Sequence, residues 1–252
     1  MAAVVLLALF CTASLKAQED KEQSREQALV TLANQARSDA GLKALTWDPA
    51  LAAAAKAHAE RMAQEGELSH RYGGEQDLAQ RASGAGAHFS MIEENIAVGD
   101  TPFHVHQGWM KSQAHHDNLL NAKIDRIGVA IIPVRGTLYV VADYAAGVAQ
   151  TSSQDIESGI GKLLESKGLK LKTDGAADAR IYCASDEQTS QRKIYARFLM
   201  RWQSSDVTKL PPQLEQRIAS GVYQEAAVGS CPAQGENGAP VFSGYRIAVL
   251  LY

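Results

Sequence analysis

The chain has 252 residues, of which 46% are hydrophobic and 21% charged, with a net charge of -3. That is the balance of a globular protein with a real core, arranged as one large or two small domains. A slightly acidic chain without a basic run has no electrostatic footprint for nucleic acid, so DNA and RNA partners are excluded.

The opening residues read as a targeting segment. Val4 to Phe10 is apolar, small residues follow, and after Lys16-Ala17 the chain turns polar at Gln18. This is an h-region with a cleavage site after Ala17, so residues 1–17 are expected to be a signal peptide, although the charged n-region is missing. The mature chain is expected to be exported, to a periplasm or outside the cell. The apolar run is far shorter than the roughly 20 residues of a membrane span, so no transmembrane segment is expected in the mature chain. Cys11 falls inside this segment, which leaves Cys183 and Cys231. In an exported chain these can pair as a disulfide; the alternative is two buried thiols.

Arg25 to Ala40 carries an apolar stripe at Ala28, Leu29, Leu32, Ala33 and Ala36, which predicts a helix ended by Gly41. Asp48-Pro49 is an N-cap followed by a proline at the first helical position, and predicts a second helix running to Gly66. A short helix is expected from about Glu75 to Ala82 between glycine-rich loops, another from Phe103 to Lys111, and a turn or two from His115 to Asn121. Ile127 to Pro133 and Leu138 to Tyr144 are β-branched, apolar runs joined through Arg135-Gly136-Thr137, an antiparallel hairpin. Helices on an antiparallel sheet make an α+β domain.

Ala149 to Gln154 reads as a linker, and all seven histidines lie before it, between His58 and His116. Imidazole chemistry therefore belongs to the first domain. Beyond the linker, a helix is expected from Ile156 to Ser166, a strand at Ala179 to Ala184, a helix from Arg192 to Gln203 and a final apolar run from Tyr245 to Tyr252.

Within the first domain a dispersed set recurs in order: Ser69-His70, Glu93-Glu94-Asn95-Ile96-Ala97, Trp109-x-x-Ser112-x-x-His115 with Asn118-Leu119-Leu120, and Ile127-Gly128-Val129. From Gln27 to Ala145 this set resembles the CAP superfamily, which includes cysteine-rich secretory proteins, antigen 5 and pathogenesis-related 1, and most closely its bacterial SCP-like extracellular branch. The resemblance implies a three-layer α-β-α sandwich over 18–148, leaving 155–252 as a smaller α/β segment of unassigned role. It also maps His70, Glu94 and His115 onto the family's cavity. Ser112 replaces the glutamate of the animal and plant pattern, as it does in bacterial relatives, and removes one acidic partner. Glu93 replaces the family's usual glycine; it either adds a carboxylate near the cavity or faces solvent.

In a helix or tight turn, Ser112 and His115 are three apart and share one side, so the cavity residues are taken as His70, Glu94, Ser112 and His115. Two imidazoles and a carboxylate are a half-shell for zinc or another divalent cation, with His70, Glu94 and His115 as ligands. The alternative is a hydrogen-bonded polar cluster that binds no metal. His104, His106 and His116 are second-tier ligands whose alternate spacing suits a solvated face. A hydrolase would use Glu94 and His115 with a metal, or Ser112 as nucleophile with His115 or His70 as base and Glu94 orienting it. No Gly-x-Ser-x-Gly motif supports the serine route. The favoured reading is an exported binding module whose groove takes a lipid, peptide or cell-wall fragment, not an enzyme; the alternative is a metal-dependent hydrolase of peptide or cell-wall substrate. Trp109 is assigned to the core, Asn95 to fixing a loop and Asn118 to capping the turn after His115.

One internal echo suggests a degenerate repeat. Trp109-x-x-Ser112 precedes Gly128-Val129 by the spacing at which Trp202-x-x-Ser205 precedes Gly221-Val222, with Thr208 standing where His115 stands. Gly235-Glu236-Asn237 is read as a loop.

Overall fold

The computed structural model describes residues 21, 23–185, 195–231 and 244–252; the expected signal peptide and the Gly235-Glu236-Asn237 turn lie outside them. These residues divide into two compact units, one ending at Gly147 and the other running from Val148 to Tyr252 and taking in His88–Ser90. Among the described residues no helix is long and apolar enough to cross a membrane.

The first unit contains, in chain order, helix α1 (residues 23–39), strand β1 (Thr46–Trp47), α2 (Pro49–Glu65), α3 (Leu78–Gly84), β2 (Phe89–Gly99), α4 (Pro102–Lys111), α5 (Gln113–Leu119), β3 (Arg126–Val134) and β4 (Thr137–Gly147). The sheet order is β1-β3-β4-β2, with β1 parallel to β3 and β3 antiparallel to β4. The β3–β4 turn holds Arg135 and Gly136 at φ 50 and 86, the positive values a tight hairpin loop requires. As expected, Asp48 caps α2, accepting from the Ala50 and Leu51 N–H groups, and Gly66 ends it in the left-handed region. The helix expected at Glu75 starts instead at Leu78, under a capping box formed by Asp77 and Gln80. This leaves Glu75 in the preceding loop.

Strand alternation sorts the core into two layers of contact. Ile127, Val129, Ile131, Val140, Ala142 and Tyr144 pack with Leu29, Val30 and Ala33 of α1, Val105 and Trp109 of α4 and Leu119 of α5. On the other face, Ile96, Ala130 and Val141 meet Ala55, Ala59 and Met62 of α2. Helices thus cover both faces of one sheet, an α-β-α sandwich. A Cβ at Gly128 would lie 2.1 Å from the Ala52 nitrogen, so the glycine is what lets α2 settle onto β3. Arg37 of α1 is buried too: its guanidinium donates to the Lys43, Leu119, Asn121 and Ile124 carbonyls, tying the loop before β3 to α1.

The second unit runs α6 (Ser153–Ser166), β5 (Lys170–Leu171), a 3-10 turn (Thr173–Gly175), α7 (Ala176–Ala184), β6 (Phe198–Ser204), α8 (Pro212–Ala219), β7 (Glu225–Cys231) and β8 (Tyr245–Leu251). Its sheet order is β5-β7-β8-β6, with β5 parallel to β7 and β8 antiparallel to both its neighbours. This repeats the strand order of the first unit, with α6 and α8 on one face and α7 on the other; among the described residues α3 has no counterpart and α8 alone stands between β6 and β7. Backbone pairing gives the register: Thr46 and Asp48 donate to the Asp125 and Ile127 carbonyls as Lys170 and Lys172 donate to those of Gln224 and Ala226. Followed across the sheets, this matching places Leu250, cross-strand from Leu199, where the first unit has Asp143.

Three expectations for the second unit are corrected. Ala179 to Ala184 is helical, because Ala179, Tyr182 and Cys183 form one buried stripe at helical spacing. The helix expected from Arg192 to Gln203 is a strand where described, since Phe198 to Ser204 pairs along its whole length with β8 and tertiary pairing overrides local propensity. The units also do not match through their tryptophans. Trp109 lies in α4 but Trp202 in β6, and Gly221-Val222 follows α8 whereas Gly128-Val129 is in β3; Thr208 precedes α8, while His115 is inside α5.

Cys183 of α7 and Cys231 at the end of β7 form a disulfide across a separation of 48 residues. Closing such a loop removes about 4 kcal/mol of unfolded-state entropy in the chain model, less any strain. Cys183→Ser/Cys231→Ser is expected to lower the stability of the second unit by about 2–4 kcal/mol, read by denaturant unfolding followed on Trp202.

Candidate functional site

The site is built around Glu94. This residue sits on β2 and is buried, its side chain 3% exposed. Its Oε1 accepts from His70 Nδ1 at 2.7 Å and its Oε2 from Arg81 Nη2 at 2.5 Å, and His58 Nε2 lies 4.0 Å from Oε2. Each partner arrives on a different element: Arg81 on α3, His58 on α2, and His70 in the loop between those helices.

That loop is pinned from within. His58, completely buried in the apolar stripe of α2, places Nδ1 2.7 Å from Glu75 Oε1 and Nε2 2.9 Å from the Ser69 carbonyl. Glu75 Oε2 accepts from the Tyr72 N–H, and Arg81 Nη1 donates to the His70 and Gln76 carbonyls. Burial alone would raise the Glu75 carboxyl. The hydrogen bonds from His58 and the Tyr72 N–H, with the nearby His58 and Arg81 charges, outweigh it and hold the group below its usual range.

On the opposite side, Asn95 Nδ2 donates to the His115 carbonyl, and Asn118 Nδ2 donates to the Glu94 carbonyl and to Asn95 Oδ1. Trp109 Nε1 donates to the Ile96 carbonyl from inside the core. Asn118 therefore ties α5 to β2 in addition to any local capping. Glu93 points away from this cluster and accepts from Asn121 Nδ2.

A cleft of ≈ 350 Å³ opens between β2 and α4; Leu68, Ile96, Val98, Val105, Ser112 and His115 line it. Ser112 occupies the N-cap position of α5, but its side chain makes no capping bond. Among the described residues its hydroxyl contacts neither His70 nor His115, so the parts of a serine triad are not assembled. The His70 ring is 60% exposed and keeps Nε2 away from Glu94. The hydrogen bond that His70 donates to Glu94 outweighs partial burial and raises the His70 pKa above its usual 6.5. Partial burial and the His70 charge lower that of His115. The two imidazoles are thus shifted in opposite directions, His70 upward and His115 downward.

Both Glu94 oxygens are engaged by His70 and Arg81, and among the described residues no three His, Cys, Asp or Glu side chains converge on one point. His104 and His116 pair with Asp100 and Asp117 on the surface, and desolvation lowers the pKa of the partly buried His106.

Sequence reading missed His58, Glu75, Arg81 and Asp143. Two carried signals: His58 interrupts the apolar face of α2, and Asp143 is the lone acid in the apolar run of β4. Arg81 and Glu75 carried none, being ordinary polar residues around a short helix.

Residues 30–144 match the family model described as CAP, the cysteine-rich secretory protein family. An uncharacterized protein of Bacillus subtilis, YkwD, is 33% identical over 111 residues, 42% of each chain. An uncharacterized membrane protein of that organism, YlbC, is 32% identical over 115 residues, 44% of this chain and 32% of its own. The match thus spans less than half the length of these curated relatives. Among solved structures, an extracellular protein containing a SCP domain from Bacillus anthracis is 27% identical, with 49% of this chain and 41% of that chain covered and a TM-score of 0.47.

Two outcomes are expected. In an NMR titration His70 titrates above 6.5 and His115 below it, and Glu94→Gln brings His70 down. Because the folded pKa of His70 is raised, its stabilising contribution is complete below the unfolded value and is lost as pH rises through the folded one. Arg81→Met leaves the buried Glu94 without its closest cation and is expected to cost about 3–5 kcal/mol in urea unfolding.

Proposed function

Taking residues 30–144 as a CAP domain, we propose that the protein is an exported binding module whose β2–α4 cleft takes a ligand with an apolar part and an anionic or hydrogen-bonding head. One observation carries this reading: apolar side chains that water would normally exclude stand open beside Ser112 and His115. Leu68 is 51% and Val98 42% exposed at the lip of the cleft that Ser112 and His115 line. The apolar part of a ligand gains by covering them, and its head meets the hydrogen-bonding groups of Ser112 and His115 in the cleft. Lipid, peptide and cell-wall fragments all offer this combination. Export is supported by the leading apolar run and by the Cys183–Cys231 disulfide, a bond that persists in oxidising compartments.

A second reading, hydrolysis at the same residues, is favoured by the Glu94–His70 hydrogen bond, which fixes one ring nitrogen and leaves the other as a base. It lacks an assembled nucleophile at Ser112 and a third protein donor for a metal.

The test is calorimetry of the mature chain with three probes, dodecanoate, a hydrophobic tripeptide and a muropeptide, beside His70→Ala/His115→Ala. At least one probe should bind unaltered, with affinity falling about tenfold or more in the double variant, a loss of roughly 1.4 kcal/mol. Binding that ignores the double substitution, or none with any probe, defeats the proposal; release of a cleaved product moves the assignment to hydrolysis.

A further inference from the structure

The second unit has an open cleft of its own. It is ≈ 920 Å³ in volume, against ≈ 350 Å³ for the cleft between β2 and α4, and lies between β6, α8 and the end of α6. Its size follows from the helices. On the matching face of the first unit α1, α4 and α5 all pack on the sheet, and Trp109 of α4 is 2% exposed. Among the described residues of the second unit only α6 and α8 cover that face. Met200 and Trp202, two apart on the edge strand β6, therefore pack against the core yet stay partly exposed in the cleft.

The rim is polar and its charges cancel. Lys167 Nζ lies 2.7 Å from Glu215 Oε1 and Lys209 Nζ 3.3 Å from Asp206 Oδ2, so each lysine at the cleft faces a carboxylate of its own. The loop from β6 to α8 is fixed by its own bonds: Asp206 Oδ1 accepts from the Thr208 N–H and hydroxyl, and Ser204 Oγ donates to the Asp206 carbonyl. At the same rim stand the Gln203 and Gln213 amides, each a donor and an acceptor.

We propose that this cleft binds a neutral saccharide chain, with Trp202 as the platform on which one pyranose ring stacks. A sugar ring offers an apolar C–H face and an edge of hydroxyls that both donate and accept, and an indole beside amides and hydroxyls matches the two. Paired charges give no net attraction to a phosphate or an acidic peptide. A polyproline segment docks on grooves lined by aromatics, whereas Trp202 is the one aromatic side chain at this cleft among the described residues. An acyl chain would desolvate the amides and ion pairs of the rim without giving them partners. All the lining residues belong to the second unit, so the inference stands apart from what binds at His70 and His115.

The test uses the mature chain and three neutral pentasaccharides: cellopentaose, maltopentaose and the pentamer of N-acetylglucosamine. In NMR spectra at least one should shift the indole N–H of Trp202. Those of Trp109, in the core, and of Trp47, 40% exposed in the first unit, should stay in place. By calorimetry the affinity for that sugar should fall about tenfold or more in Trp202→Ala and hold within about twofold in His70→Ala/His115→Ala. It should also change little between about 0.05 and about 0.5 M salt. No shift at Trp202 with any of the three overturns the proposal, even if the Trp202 variant fails to fold. So does a shift at Trp47 alone, an affinity that ignores Trp202→Ala, or a steep loss of binding with salt, which would mark an ionic ligand.

Discussion

The geometry of the first unit depends on burying one carboxylate. Glu94 is removed from water on the central sheet, and a buried carboxylate persists only where donors and cations surround it. Meeting that demand recruits Arg81 from α3, His70 from a loop and His58 from α2, and each of these carries its own chain of bonds outward. The loop between α2 and α3 has almost no apolar anchor of its own besides Tyr72. It takes its shape from Glu75, His58 and Arg81, so the exposed His70 ring is placed by electrostatics that begin at Glu94.

The two sides of the cleft are held by different physics. His70 hangs on ion pairs and hydrogen bonds in the loop. His115 hangs on packing and amide bridges: Trp109 fills the core behind it, and Asn95 and Asn118 lock the helix turn to β2. Acid therefore acts unevenly. Glu75 has a depressed pKa, so its contribution is present above the unfolded value and lost as pH falls through the folded one, which loosens the His70 side first.

The parts of this arrangement that were legible in the sequence share a cause. Helix α2 announces itself because its cap, its proline and its terminal glycine are local signals, and the β3–β4 hairpin because its apolar runs flank a turn. His70, Glu94, Ser112 and His115 were legible through their ordered spacing. Strand β2 was not, since Glu93, Glu94 and Asn95 look like a polar loop, and their burial is stabilised only by partners far along the chain. Glu75 and Arg81 were invisible for the same reason. In the second unit Ala179 to Ala184 was expected as a strand and Phe198 to Gln203 lay within a stretch expected as helix; a buried helical stripe and sheet pairing decided against these local readings.

The common plan of the two units gives the Leu199–Leu250 pair a further meaning. The same sheet, laid out in the same strand order, is closed over Leu250 in one unit and over Asp143 in the other. Replacing buried ionic groups by well-packed hydrophobes is often neutral or stabilising by about 1–4 kcal/mol. The chain thus carries its own internal reference state: at the position of Leu250 one unit closes its sheet with an apolar side chain, and the difference between the two is what the first gives up to keep a polar centre there.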